Sequence, residues 1–160
     1  MPILIAATLT PFDGAGGLDL DRLQAHVRWM CARGVGGFGP TGTTGEFLYL
    51  SNDERAAVHR AVIDAAGDRP VVPCVWDGSP GGTVGLARAA ERAGATAVFL
   101  PPPLYQPVCA DAIRRWYGQV VDAVGIPVWA YHHPRTHNPL DEDLLDDLFP
   151  LFLSPLLDSA

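Results

Sequence analysis

Four glycines, at positions 34, 67, 94 and 125, each close a segment of helical period, and each is followed by an apolar stretch. They stand 33, 27 and 31 residues apart, the length of one strand-helix unit. Residues 2–9 read as a strand, and residues 20–33 as a helix capped by Asp19 with Leu23, Val27 and Met30 on one face. Residues 35–39 form the next predicted strand. Ser51 with Glu54 makes a capping box ahead of Ala57, Val58, Ala61, Val62 and Ala65, and residues 71–76 follow as a third strand. A helix over 83–93 leads to a fourth strand at 96–100, apolar enough for burial on both faces. Ile113, Trp116, Val120 and Val124 then share one helical face before a fifth strand at 126–131. A short helix over 140–148 is expected to halt at Pro150, and 151–157 offers a candidate sixth strand in which Pro155 is awkward.

Strands alternating with helices imply a parallel α/β sheet with right-handed crossovers, either open and doubly wound or part of a barrel. Periodicity does not choose between them. The 160 residues predict a single domain, and fall below the roughly 250 residues of a closed (β/α) barrel. Five units and a candidate sixth strand leave a barrel about two units short of closure.

The sequence contains no lysine, so all 11 basic residues are arginines, and lysine-imine chemistry is removed. A net charge of −7 argues against nucleic-acid binding, which needs clustered cations to displace phosphate counterions. Asp141, Glu142, Asp143, Asp146, Asp147 and Asp158 follow the last basic residue, Arg135, and read as a solvated helix face. Cys31, Cys74 and Cys109 are odd in number and widely spaced, which suits buried reduced thiols rather than a disulfide framework or zinc site. No signal peptide or apolar run of about 18 residues is visible, so a cytoplasmic location away from membranes is expected.

In either architecture ligands belong at the carboxyl ends of the strands. After the second strand, Gly39-Pro40-Thr41-Gly42-Thr43-Thr44-Gly45-Glu46 joins glycines that admit a ligand to two hydroxyls able to bind a carboxylate or pass a proton. After the fourth, Pro101-Pro102-Pro103-Leu104-Tyr105-Gln106-Pro107 sets a phenol on a stiff support, a placement equally suited to a proton relay and to packing at an interface. The fifth ends in Tyr131-His132-His133-Pro134-Arg135-Thr136-His137-Asn138, where Arg135 suits either a bidentate carboxylate clamp or an ordinary salt bridge. His133 and His137 have i, i+4 spacing, but Pro134 disfavours the helix that would aim both at one metal.

Thr10-Pro11-Phe12, Gly42-Thr43-Thr44-Gly45-Glu46, Pro-x-Tyr from Pro103 to Tyr105, and Tyr131-x-x-Pro134 together resemble the dihydrodipicolinate synthase and N-acetylneuraminate lyase family over essentially the whole chain. The resemblance implies a partial TIM (β/α) barrel, residues 1–160 being the amino-terminal portion of a (β/α)8 barrel. It also implies class I aldolase or lyase chemistry on pyruvate or related 2-oxo acids, with no cofactor. On that basis Thr43, Tyr105 and Tyr131 match a catalytic hydroxyl relay, Tyr131 being the proton donor and acceptor and Tyr105 often reaching a neighbouring subunit. Thr44 and nearby backbone at Gly42 match the carboxylate cradle, to which Arg135 is a candidate addition.

The family's Schiff-base lysine precedes Asp-Ser on the sixth strand, and here Leu156-Leu157-Asp158-Ser159-Ala160 resembles that place with leucine substituted. The expectation is therefore a shortened family member with little or no aldolase activity. A secondary amine at Pro2, exposed by loss of Met1, lies at the wrong end of the first strand to replace the lysine. A homo-oligomer, or association with a full-length relative, is expected to cover the open edges. Two alternatives stand beside this reading: a non-catalytic carboxylate-binding or oligomerisation module, and a metal-dependent aldolase using His132, His133 and His137.

Overall fold

The computed structural model describes residues 3–133 and 136–157. Its order is β1 (Ile5–Ala7), α1 (Leu20–Cys31), β2 (Gly37–Gly39), a 3-10 turn (Phe47–Tyr49), α2 (Asn52–Ala66), α3 (Pro80–Arg92), β3 (Val98–Leu100), α4 (Ala110–Val121), β4 (Val128–Ala130) and α5 (Glu142–Leu157). β1 pairs parallel with β2, Ala6 opposite Phe38, and β3 pairs parallel with β4, Phe99 opposite Trp129.

Between the two pairs lies the segment read as a third strand. It is extended but joined by isolated parallel bridges, Phe38 to Val71 and Cys74 to Phe99, rather than by a continuous ladder. Pro73 supplies the reason: a proline has no N–H to donate, so toward β3 the segment only accepts at residue 73, where Phe99 N reaches Pro73 O (3.0 Å), and donates in that direction again at Val75, whose N–H reaches Phe99 O (3.1 Å). With Val72 N donating to Phe38 O (2.8 Å), five parallel strand positions stand side by side in chain order.

Side chains alternate across this sheet. Phe38, Val98, Leu100 and Val128 are buried against the helices, while Ile5, Ala7, Val72, Cys74, Phe99 and Trp129 line the opposite face. Helices α1 and α2 form one core with β2, α3, α4 and α5 form another with β3 and β4, and Ile63 packs against both.

The helix boundaries follow their local chemistry. Asp19 accepts from Arg22 N at the start of α1, Ser51 and Glu54 complete the capping box of α2, and Ser79 caps α3 with Pro80 in its first turn. Gly34, Gly67 and Gly94 take φ values of +86°, +62° and +94°, which L side chains rarely adopt. The acids on α5 are exposed as expected, with Leu144 and Leu148 buried on its other side.

Residues 151–157 correct the sequence reading, because α5 continues through Pro150 to Leu157 and no sixth strand forms there. The run is rich in leucine and phenylalanine and contains no β-branched residue, so its local preference is helical. Pro150 is exposed, and the bond it forgoes leaves the exposed Asp146 free to hydrate its carbonyl. A second correction concerns the thiols: Cys31, Cys74 and Cys109 are free, but only Cys74 is buried and Cys109 is exposed. Among the described residues no helix is long and apolar enough to cross a membrane.

Candidate functional site

The carboxyl ends of the strands open on a cleft of about 290 Å³. Gly42, Thr43 and Thr44 form one wall, Tyr131 the other, and Val72, Cys74, Phe99 and Trp129 the apolar floor. Four of the six residues singled out as site candidates therefore meet in one place. Thr43 and Thr44 are exposed, and Tyr131 is half-buried, its ring 5.5 Å from that of Phe99 and stacked at 6.2 Å on His133.

The wall owes its shape to three anchors. Thr41, wholly buried, has φ +53° and Glu46 has φ +59°, both in the left-handed region. Between them the chain folds so tightly that a Cβ on Gly45 would lie 2.9 Å from Thr41 N and 3.0 Å from Thr8 O, so only glycine fits. The hydroxyl of Thr10, in the Thr-Pro-Phe motif, donates to Gly45 O at 2.8 Å. Beneath, the Thr41 hydroxyl meets His59 Nε2 at 2.7 Å and donates to Cys74 O at 3.2 Å.

Arg55 reaches the same carbonyl with Nη2 (2.9 Å) and donates to Trp76 O with Nη1. Burial lowers the Arg55 guanidinium from its usual range, the nearby Cys74 and Asp77 opposing that shift. Burial, reinforced by Arg55 and Arg60, pushes the His59 imidazole down to about 3, and burial pushes the Cys74 thiol up to about 11. Both groups are thus neutral near pH 7, and the floor of the cleft carries no nucleophilic thiolate.

Tyr105 stands apart from this cleft, 84% exposed at the tip of the proline-rich loop. That loop is nevertheless held firmly. Trp116 Nε1 donates to Pro101 O (3.0 Å) and the Tyr117 hydroxyl to Leu100 O (3.0 Å). Buried Asn138 donates to Pro103 O (2.6 Å) and Gln106 O (2.8 Å) and accepts from Val108 N (2.8 Å). Arg135, the remaining candidate, lies outside the described residues, as do Pro2, Pro134 and Asp158.

The metal reading finds no support. Among the described residues no three His, Cys, Asp or Glu side chains come together, and His132 Nδ1 instead accepts from Leu140 N at 3.3 Å.

Sequence reasoning missed Arg55, His59 and Asn138. A signal for the first two was present: they share the i, i+3, i+4, i+7 stripe of α2 with Val58 and Val62, and polar groups on an apolar stripe imply buried partners.

The family model described as the dihydrodipicolinate synthetase family matches residues 2–150. The chain is 40% identical over 141 residues to 4-hydroxy-tetrahydrodipicolinate synthase 1 of Streptomyces coelicolor, covering 87% of this chain and 46% of that one. It is 35% identical over 144 residues to the 4-hydroxy-tetrahydrodipicolinate synthase of Kineococcus radiotolerans, covering 89% and 47%. Among solved structures it is similar to a prophage protein of the dihydrodipicolinic acid synthase family from Escherichia coli K12 in complex with pyruvate (TM-score 0.88, 30% identity, 92% of this chain and 50% of that). It is likewise similar to the dihydrodipicolinate synthase from Acinetobacter baumannii complexed with pyruvate (TM-score 0.85, 30% identity, 91% and 50%). The likeness resolves the choice left open by periodicity: the sheet is a partial (β/α) barrel. The chain spans about half the length of the curated relatives it matches.

Proposed function

Because the chain belongs to the dihydrodipicolinate synthetase family, related to the class I pyruvate aldolases, we propose that its cleft binds the carboxylate of pyruvate or a related 2-oxo acid. The convergence of Gly42, Thr43, Thr44 and Tyr131 at the carboxyl ends of the strands carries this reading. A carboxylate accepts hydrogen bonds only, and the hydroxyls of Thr43 and Thr44 supply donors beside a glycine that keeps the wall clear. The pyruvate held by the two similar structures supports the same ligand class.

In this proposal Thr43 and Tyr131 are relay hydroxyls, Tyr105 adds a third from a neighbouring subunit, and Arg135 assists the carboxylate. Residues 1–160 act as a single domain, the amino-terminal portion of a (β/α)8 barrel. The open edges of β1 and β4 pair with another copy or with a full-length relative, and the three free cysteines suit a reducing cytoplasm.

The 160-residue chain carries little or no aldolase activity, because no lysine side chain is present to form the imine. Rate accelerations of about a millionfold, some 8 kcal/mol, exceed what positioned hydroxyls provide without that electron sink. Nothing in the structure favours a separate module or metal-dependent reading over this one.

Isothermal titration with pyruvate tests the proposal. Saturable binding is expected, weakened about tenfold in Thr44→Val by the loss of roughly 1.4 kcal/mol. Absence of binding, or equal binding by the variant, contradicts it.

A further inference from the structure

The strongest unexplained feature is a hydrogen-bonded chain buried directly under the Gly42-Thr43-Thr44 wall. Thr41 is 0% and His59 1% exposed, and they lie 18 residues apart, one in the loop after β2 and the other on α2. Thr41 is β-branched at φ +53°, a conformation that the surrounding structure must impose on such a residue.

The direction of the hydrogen bonds follows from counting protons. The Thr41 hydroxyl has one hydrogen, and it is donated to Cys74 O at 3.2 Å. With that hydrogen donated to Cys74 O, the 2.7 Å contact with His59 Nε2 takes its proton from the imidazole tautomer carrying Nε2–H, which then donates to Thr41 Oγ1. The other ring nitrogen, Nδ1, is buried and has no partner among the described residues, which fits a bare lone pair better than an orphaned N–H. Arg55 donates from the far side to the same Cys74 carbonyl, so the chain ends on an acceptor held from both directions.

We propose that His59 is a positioning residue for the carboxylate-binding wall: its Nε2–H fixes the Thr41 hydroxyl, and thereby the left-handed turn from which Gly42, Thr43 and Thr44 depart. Gly45 packs back on the Thr41 backbone at distances that leave no room for a Cβ, so the geometry set at residue 41 passes to both ends of the wall. The burial that holds His59 neutral keeps this donor pattern intact across the ordinary pH range. The functional consequence rests on the carboxylate reading given above, but the positioning itself does not.

The test uses the whole 15N-labelled chain without ligand. Imidazole nitrogen spectra are expected to show Nε2 protonated and Nδ1 bare. In Thr41→Val the amides of residues 42–46 are expected to exchange faster by about tenfold or more while those of α2 keep their rates, and Thr41→Ser restores the wall. Should Thr41→Val fail to fold, Thr41→Val/His59→Leu exchanges the polar pair for an apolar one of similar bulk, and the same local loosening is expected there. A protonated Nδ1, or unchanged exchange at 42–46 in the folded variant, overturns the proposal. A parallel pyruvate titration of the unaltered chain separates the two ideas, since failure to bind pyruvate defeats the carboxylate reading and leaves the exchange result to decide the role of His59.

Discussion

At the scale of single residues, the buried imidazole of His59 ties folding to pH. An unfolded chain takes up a proton near the ordinary histidine value of 6.5, whereas burial holds the folded imidazole neutral down to about 3. The unfolded state therefore binds more protons throughout that window, and stability rises with pH across it, reaching full value above 6.5 and falling as pH drops toward 3. Relative to His59→Leu, urea unfolding should show a loss of ~1–2 kcal/mol between pH about 6.5 and about 5, and a difference that stays flat over this range would contradict it. The meeting of Gly42, Thr43, Thr44 and Tyr131 in one cleft was legible because their chemistry and loop context announce themselves in the sequence. Thr41 was not, because a β-branched residue at positive φ runs against local preference and only its buried partners hold it there. Composition alone equally hid the exposure of Tyr105, since proline fixes φ along a loop without fixing where the loop points, and only the family resemblance turned this phenol toward a neighbouring subunit.

Among the elements, helices were legible to within a few residues wherever a cap or a terminating glycine marked them, as at Ser51 and Gly67. Strand content was less so: residues 71–76 carry a strand composition, yet Pro73 breaks the ladder into bridges. The error at 151–157 has the same root, since a short apolar run satisfies both a buried strand and a helix, and leucine favours the helix. Asn138 shows what no periodicity reveals, a single amide closing the loop of residues 103–108 onto the segment after β4 through three hydrogen bonds. Asn138→Ala leaves two carbonyls and one amide without it, and about 2 kcal/mol of stability should be lost. Limited proteolysis should then cut first near Tyr105, and a variant as stable and as resistant as the parent would show that the clasp is idle.

Seen whole, the molecule is a partial barrel whose helix-facing side is a finished core and whose opposite side is an open apolar surface, with Trp129 47% exposed on it. The carboxyl ends of its five strand positions nonetheless bring Gly42, Thr43, Thr44 and Tyr131 to one cleft. Alternating pattern and the four motifs made that architecture readable, while the open face was not, because inward and outward strand residues look alike when both are apolar. On the proposal above, this cleft holds a 2-oxo acid through hydrogen bonds alone. Titrating the 15N-labelled chain with pyruvate enriched in 13C at its keto carbon tests it in a single sample. The amides of Gly42, Thr43 and Thr44 should move saturably while the carbon remains a ketone. Unmoved amides at those three positions, or a keto carbon converted to an imine on a side chain, would contradict it.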